Sequence, residues 1–395
     1  MKKVKLEKIS KSISSGITPL RSNLEYWDDG NIPWLKTEQL GEKYIYDTSE
    51  KITDYALENT TIKLNPINTL CIAMYGEGRT RGNISILKSI MTTNQACCNI
   101  VIDEDKADYE YIYYYLKTQY HQLRSLSSGV RKNLNSNDIK NFEIRLPKDI
   151  ITQKKIAAVL SSLDDKIELN NRINSELENL AKTIYDYWFV QFDFPDENGT
   201  PYKSSGGKMV YNQELKREIP AGWEVKYIED ILEVEKKSIK IPTKEVLSAG
   251  QYPVVDQSTD YICGFTNKLE SIIKVDRPRI IFGDHTRIVK LINFDFARGA
   301  DGTQVLLSNN ERLPQHFFYH TLLKVDLSNY GYARHFKFLK QSKILLPNSI
   351  ISWKFEKIAA KSYEMIRQNI FQNQQLTQLR DWLLPMLMNG QITVK

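Results

Sequence analysis

One stretch, residues 151–189, constrains the fold most, because it contains neither proline nor glycine and predicts one long helix. Its apolar residues recur in steps of four and three, the heptad pattern of a helix that packs along another helix. The residues of this stripe are Ile156, Leu160, Leu163, Ile167, Asn170, Asn174, Leu177 and Ile184. The two asparagines reduce stability at such positions but fix register and partner. A helix of this length needs a partner of similar length.

The same pattern returns in residues 353–386, so the chain supplies that partner itself. The stripe of this distal helix consists of Phe355, Ile358, Ser362, Met365, Asn369, Gln372, Leu376, Leu379, Leu383 and Met386. Its polar layer, Asn369 and Gln372, again lies near the middle. We predict that the two helices pair in antiparallel orientation, because everything between them has to be looped out.

The repetition extends beyond the helices. Residues 146–158 and 346–360 share the pattern Leu-Pro-x-x-Ile-Ile, followed by Lys-Ile-Ala-Ala. The chain therefore reads as two copies of one plan, a globular half and then a long helix, and such internal repeats decide architecture. We predict a mixed α/β (α+β) fold of two similar domains, separated and joined by an antiparallel coiled coil, with pseudo-two-fold symmetry.

The predicted boundaries follow from this plan. They are residues 1–150 for the first domain, 151–190 for the central helix, 191–219 for a connector, 220–347 for the second domain, and 348–395 for the distal helix and tail.

Each globular half alternates apolar β-rich runs with polar loops. In the first half, strands are predicted at residues 32–35, 69–75, 83–87 and 98–102, and a helix at 109–126. In the second half, strands are predicted at residues 252–255, 279–282 and 288–292. Three glycine-led or polar loops occur at matching places in the two halves: residues 76–82, 92–95 and 128–135, and residues 283–287, 299–304 and 331–337.

The side chains of these loops suit DNA. Arginine reads guanine through two hydrogen bonds, and asparagine or glutamine reads adenine, while lysine, threonine and backbone N–H groups hold phosphates. Each loop alone is better interpreted as an ordinary polar hairpin, but their recurrence at matching places favours DNA reading. The candidate DNA-binding residues are Lys36, Tyr75, Glu77, Arg79, Thr80, Arg81, Asn94, Gln95, Arg131, Lys132, Asn133, Asp284, His285, Thr286, Arg287, Asp301, Thr303, Gln304, Arg334, His335 and Lys337.

The composition of the chain and the absence of several motifs limit the classes of function that we expect for it. The net charge of +6 permits an anionic partner without requiring one. The four cysteines form no Cys-x-x-Cys pair, which predicts neither a disulfide framework nor a zinc site. No signal peptide or apolar run of about 20 residues is present, so we expect a cytoplasmic protein without a membrane span.

Several catalytic and metal signatures are also missing. Residues 206–209 lack the remainder of a P-loop, and residues 65–68 differ from the Asn-Pro-Pro-aromatic site of an adenine methyltransferase. His316 and His320 stand four apart, but a plain helix face is favoured over a metal site because no third ligand is in view. The aromatic run of residues 185–189 favours core or protein interface. We expect no catalytic residue and no metal site in this chain.

The chain resembles the specificity (S) subunits of Type I restriction-modification systems. The resemblance spans nearly the whole sequence, and its helix motifs are specific. It is carried by residues 16–19 with 32–35, 94–97, 163–170, 188–195, 282–287 and 383–390. It implies two target recognition domains, each reading half of a split double-stranded DNA site, with the helices setting the spacer.

The same resemblance implies partners rather than cofactors. Two methyltransferase (M) subunits would dock on the helices and domains, and restriction (R) subunits would join them. S-adenosylmethionine, ATP and Mg²⁺ would belong to those partners, and M would methylate a flipped adenine. Two alternatives stay open: an S-like subunit of a modification-only or related bipartite system, and a coiled-coil scaffold whose globular halves bind proteins.

Overall fold

The computed structural model describes residues 1–76, 80–126, 133–147, 149–235, 238–299, 302–331 and 333–394. The chain forms two compact units. The first comprises Met1–Glu168 and Asn373–Lys395, and the second comprises Leu169–Gln372. Each unit therefore contains segments of both long helices.

The first globular region alternates strands with short helices. Its strands are β1 (Lys2–Lys5), β2 (Ser10–Ser15), β3 (Ile32–Leu35), β4 (Tyr44–Ile45), β5 (Glu50–Ile52), β6 (Leu70–Ala73), β7 (Ile84–Leu87), β8 (Thr92–Thr93), β9 (Cys97–Ile102) and β10 (Glu143–Leu146). Its helices are α1 (Asp54–Asn59), α2 (Tyr109–Thr118), α3 (Tyr120–Ser125) and α4 (Ser136–Lys140), followed by the long helix α5 (Ile150–Tyr185).

The second region follows a π-helical turn at Asp186–Val190. Its strands are β11 (Met209–Asn212), β12 (Arg217–Pro220), β13 (Glu224–Tyr227), β14 (Leu232–Val234), β15 (Tyr252–Val255), β16 (Gly264–Thr266), β17 (Ile272–Ile273), β18 (Arg279–Gly283), β19 (Val289–Ile292), β20 (Phe296–Arg298), β21 (Thr303–Ser308) and β22 (Lys343–Leu346). Its helices are α6 (Ile228–Ile231), α7 (Gln315–Leu323), α8 (Phe336–Lys340) and the second long helix, α9 (Ser349–Met388).

The two sheet systems share one topology, which confirms the internal repeat. The strand order β2-β9-β6-β7-β4 in the first unit corresponds to β14-β21-β18-β19 in the second. Beside each lies a smaller sheet, β5-β3-β8 or β16-β15-β20-β17, in which one neighbouring pair is parallel (β3 with β8, β15 with β20). The antiparallel pairs β1–β10 and β13–β22 also correspond.

Most predicted elements are present, with small differences in extent. The strands predicted at residues 32–35 and 252–255 are β3 and β15. The helix predicted at residues 109–126 divides into α2 and α3, because Gln119 leaves the helical region with φ −95° and ψ 11°. In the segment predicted as a connector, Phe194 stacks on Tyr202 and on Trp223, with ring centroids 4.6 and 5.5 Å apart.

The pairing of α5 with α9 is antiparallel, as predicted, and is marked by polar contacts. In the second unit, Asn170 donates to Gln372 at 2.7 Å and Asn369 donates to Asn174 at 2.8 Å. Residue numbers rise along one helix while they fall along the other, which defines the antiparallel direction. These four residues are the polar layer that the sequence predicts at mid-helix.

In the first unit the two helices are joined by a buried ion pair that the heptad pattern does not contain. Arg380 Nη1 lies 2.6 Å from Asp164 Oδ1, and the hydroxyl of Tyr114 donates to the other carboxylate oxygen at 2.5 Å. Asp164 is 7% exposed. One buried carboxylate therefore links α5, α9 and α2.

The apolar part of the predicted stripe on α9 is partly wrong. Ile358, Met365 and Leu379 are 37%, 48% and 44% exposed. Phe355 and Ser362 of the stripe are buried, and the rest of the buried face is formed by Ala359, Tyr363 and Ile366. These buried residues pack on the aromatic core of the second unit as well as along α5. The face is shifted because the helix has to cover a globular core, whereas a heptad stripe describes only a contact between two helices.

On α5 the residues of the predicted stripe are all buried or partly buried. Ile156 and Leu160 are buried in the core of the first unit, together with Leu384 and Leu387 of α9. Partial burial is found at the remaining apolar stripe residues, Leu163, Ile167, Leu177, Ile184, Leu376, Leu383 and Met386. The most deeply buried apolar residues of the two helices therefore lie where the helices pack on the globular cores.

This burial difference predicts how leucine truncations affect stability. Leu160→Ala should lower the free energy of unfolding by about 2–5 kcal/mol, because it empties space in a fully buried core. Leu379→Ala is the matched control, and it should cost less than about 0.5 kcal/mol because the side chain is largely exposed. Urea unfolding of the purified chain measures both values, and equal losses would contradict the placement of the buried face.

Candidate functional site

In the first unit, the described parts of the three predicted loops meet at one end of the larger sheet. The loop between β6 and β7 begins at Met74, whose backbone N–H donates to Ala96 O at 2.8 Å, just before β9. The N–H of Leu134, just before α4, donates to Met74 O at 3.1 Å. Met74 therefore joins the hairpin loop to the other two loops.

The second unit repeats these backbone contacts with different residues. The N–H of Asp284 donates to Gly302 O at 2.8 Å, and the N–H of His335 donates to Asp284 O at 2.8 Å. Asp284 thus takes the place of Met74, and His335 takes the place of Leu134. The structure brings the described parts of three predicted loops together in each unit.

The hairpin turns of the two units end with a similar backbone hydrogen bond but carry different side chains. The N–H of Gly82 donates to Ala73 O at 2.9 Å, and the N–H of Arg287 donates to Gly283 O at 2.8 Å. Both residues have positive φ, +88° for Gly82 and +61° for Arg287. That conformation costs a residue with a Cβ about 1–2 kcal/mol, so the second unit keeps an exposed arginine at a strained position.

The predicted contact residues divide by exposure. Those with largely exposed side chains are Tyr75, Gln95, His285, Thr286, Arg287, Arg334 and Lys337. Those that are half-buried are Lys36, Thr80, Arg81, Asn94, Asn133 and Gln304. Asp284, Thr303 and His335 are buried. The predictions for Glu77, Arg79, Arg131, Lys132 and Asp301 lie outside the described residues.

The three buried residues correct the predicted contact surface. Asp284 accepts a hydrogen bond from the N–H of Phe336 at 2.9 Å, so it binds the first turn of α8. The ring of His335 is held by the carbonyls of Asp284 and Gly331, each at 3.0 Å. In this conformation these side chains cannot reach a ligand at the surface, because they are used to hold the loops together. Thr303 lies within β21 at 2% exposure.

Lys36 is likewise engaged within the protein. Its amine lies 2.7 Å from Glu38 and 2.6 Å from Glu50, and hydrogen bonds to these carboxylates raise its pKa. Glu50 also pairs with Arg21, whose guanidinium lies 3.7 Å from the ring centroid of Trp27. Lys36 is thus part of a local charge network rather than an unpaired cation.

Sequence reasoning missed Gln257, which supports the hairpin of the second unit. Its side-chain oxygen accepts from the N–H of His285 at 3.1 Å, and its carbonyl accepts from Thr286 Oγ1 at 2.7 Å. Lys290 is 5% exposed and donates to Asp256 O at 2.9 Å, and burial lowers its pKa. An alignment of the two halves through β3 and β15 would have drawn attention to Gln257, because it lies just after the end of β15.

The buried histidines of α7 have structural partners. His316 Nδ1 lies 2.7 Å from Glu356 Oε1, and His320 Nε2 lies 3.2 Å from the hydroxyl of Tyr363. Burial lowers the pKa of His320 to about 3, which keeps the ring neutral. Within the described residues, no group of three or more His, Cys, Asp or Glu side chains could hold a metal ion. No helix in the same part of the chain is long and apolar enough to cross a membrane.

Comparison with known proteins identifies a family. The model of the Type I restriction modification DNA specificity domain matches residues 1–179. The MjaIX specificity subunit of Methanocaldococcus jannaschii, a Type I restriction enzyme subunit, is 30% identical over 411 residues, covering 97% of this chain and 91% of that protein. The HindI specificity subunit of Haemophilus influenzae is 23% identical over 345 residues, covering 70% and 74%.

A solved structure shares the fold. The S subunit of a Type I restriction-modification system from M. genitalium superposes with a TM-score of 0.60 at 18% identity, covering 98% of this chain and 95% of that chain. At this identity the likeness concerns the fold alone. The match to the M. jannaschii subunit extends over nearly the full length of both proteins. The chain therefore belongs to the family of Type I restriction enzyme specificity subunits.

Proposed function

We propose that this chain is the DNA-sequence specificity subunit of a Type I restriction-modification complex. Each globular domain reads one half of a bipartite double-stranded DNA site. The chain itself supplies recognition and assembly, while methylation and cleavage belong to partner methyltransferase and restriction subunits. Those partners hold the S-adenosylmethionine, ATP and Mg²⁺ that the two reactions need.

The observation that carries this proposal is the repeated three-loop arrangement. The two units share sheet order and the backbone contacts that organise the loops, yet differ at the side chains. At the hairpin turn, Gly82 of the first unit corresponds to the exposed Arg287 of the second. One scaffold carrying two sets of surface side chains is what two readers of different DNA sequences require, because base identity is read by side chains in the groove.

The proposed contact set consists of exposed loop residues in the second unit and of exposed and half-buried loop residues in the first. In the second unit these are His285, Thr286, Arg287, Arg334 and Lys337. In the first unit they are Tyr75, Thr80, Arg81, Asn94, Gln95 and Asn133, together with the loop residues that the structure does not describe. Arginine and lysine would contact guanine or phosphate, and asparagine or glutamine would contact adenine. Asp284 and His335 act by positioning these loops.

The direct test is sequence-dependent binding by the reconstituted complex. The full chain, assembled with the methyltransferase subunit encoded beside it, should shift a subset of a random duplex library in an electrophoretic assay. Sequencing that subset should give two short motifs at a fixed interval. A complex that retards all duplexes equally would contradict the proposal and would favour a scaffold that binds proteins. A gene for a restriction subunit beside these genes would indicate a full restriction-modification system. Its absence would indicate a modification-only system.

Arginine variants should affect the two half-sites separately. Arg287→Gly removes a side chain while suiting the positive φ, and it should relax one position of a single half-site by about 1–3 kcal/mol. Arg81→Ala should do the same for the other half-site. Each variant is the other's control, measured as methylation of a duplex library randomised in one half-site at a time. Equal weakening on specific and random DNA would assign the arginine to phosphate.

Helix insertions test whether the helices set the spacer between half-sites. Four residues inserted after Glu168 and four after Gln372 fall at the boundaries of the compact units, so contacts inside each unit are kept. Four residues add about 6 Å and nearly complete a helical turn, whereas two residues rotate the downstream part of the helix by about 200°. The four-residue variant should prefer a spacer longer by roughly one or two base pairs.

The measurement is methylation of duplexes with fixed half-sites and variable spacers. The two-residue variant is the control and should be less active at every spacer. An active four-residue variant that keeps the original spacer would show that the helices do not set the interval.

A further inference from the structure

A pocket of about 650 Å³ lies in the first unit beside the hairpin loop that joins β6 to β7. Its wall includes Gly82 and Asn83 from the end of that loop, and Lys117, His121 and Arg124 from α2 and α3. The three basic residues are spaced by four and three along the chain. Lys117 and Arg124 place two positive charges on one wall.

The pocket is fixed to the loop by close packing and hydrogen bonding. A Cβ on Gly82 would lie 3.2 Å from Arg124 Cγ, which is tighter than most contacts of a Cβ atom. Arg124 donates to the carbonyl of Arg81 at 2.6 Å and to the hydroxyl of Tyr120 at 3.0 Å. The position of the hairpin loop and the shape of the pocket therefore depend on each other.

Lys117 is the residue of this pocket whose charge suggests a ligand. Among the described residues, its amine hydrogen-bonds the hydroxyl of Tyr113 at 3.3 Å and makes no ion pair with a carboxylate. Burial and the neighbouring guanidinium of Arg380 lower the pKa of Lys117. Nearby carboxylates act on this pKa in the opposite direction, but none of them forms an ion pair with the amine among the described residues. An anion that entered the pocket would give this partly buried cation a direct partner.

The second unit lacks this arrangement at the corresponding place. Counted from the start of each helix, the ninth residue is Lys117 in α2 and Leu323 in α7. Leu323 is 44% exposed. The lysine that lines the pocket in the first unit is thus replaced by an apolar residue in the second, although the surrounding fold is shared.

We propose that this pocket, formed around Lys117, His121 and Arg124, holds one backbone phosphate of the DNA half-site that the first unit reads. The inference rests on the proposed function and adds a sequence-independent contact to it. The anion is assigned to the DNA backbone because Gly82 and Asn83, which line the pocket, end one proposed reading loop. In addition, α3 leads into the segment that ends at Asn133, which belongs to another.

Salt dependence distinguishes a phosphate contact from a base contact. The wild-type complex with its methyltransferase subunit is compared with Lys117→Met, with Lys117→Arg, and with the control Lys106→Met, which removes an exposed lysine paired with Asp103. Lys117→Met should reduce the slope of log affinity against log salt by about 0.9. It should weaken specific and random DNA alike, by about three- to tenfold, and leave base preference unchanged. Lys117→Arg should restore binding, and Lys106→Met should resemble wild type.

Duplexes with single methylphosphonate linkages locate the phosphate. One linkage in or beside the first half-site should weaken the wild-type complex by about three- to tenfold and should have no effect on Lys117→Met. The melting temperature of Lys117→Met should stay equal to or above that of wild type, because a buried charge is removed.

Several outcomes would overturn the inference. An unchanged salt slope, or an altered base preference, would remove the phosphate assignment while leaving the proposed function intact. Loss of the methyltransferase subunit from Lys117→Met in size-exclusion chromatography would show that the pocket contacts protein instead. A wild-type complex without sequence-dependent binding would reject the proposed function and this inference together.

Discussion

The structure depends on two long helices that each serve two cores. Ile156 and Leu160 of α5 are buried with Leu387 of α9 in the core of the first unit, while Tyr185 of α5 and Phe355 of α9 are buried in that of the second. The first unit is consequently discontinuous, since it needs residues 373–395 to complete its core. Folding of this unit has to bring the two ends of the sequence together, and the entropy of closing that loop grows only slowly with its length.

The polar contacts between the helices determine register rather than supply most of the stability. The Asn170–Gln372 and Asn174–Asn369 hydrogen bonds each replace contacts with water, so each contributes only about 0.5–1.5 kcal/mol. Asn170 is fully buried, so a shift of one helix along the other would leave its amide unsatisfied, at a cost of about 1–3 kcal/mol. The Asp164–Arg380 pair acts in the same way, because losing one buried partner costs about 3–5 kcal/mol. These contacts make alternative registers unfavourable.

Local pattern was enough to predict the repeat, the two helices, the main strands and the polar layer. Each of these depends on residues close together in sequence or on a periodicity of the chain. The face of α9 that is buried was predicted only in part, because it also depends on the aromatic residues of α7 and of the π-helical turn that Phe355 meets. The burial of Asp284 and His335 was missed for a related reason. Polar residues in a glycine-led loop predict an exposed turn, and only the fold shows that one of them binds the first turn of α8.

A comparison of the two units distinguishes the backbone contacts that hold the loops from the side chains that differ. The backbone contacts that gather the loops recur, while the residues that make them change from Met74 to Asp284 and from Leu134 to His335. In the first unit the joint is apolar, and in the second it is a network of a carboxylate, an imidazole and two carbonyls. The loops are thus anchored by backbone geometry that tolerates either chemistry. The side chain of an exposed loop residue such as Arg287 can therefore differ between the units without changing the backbone contacts that join the loops.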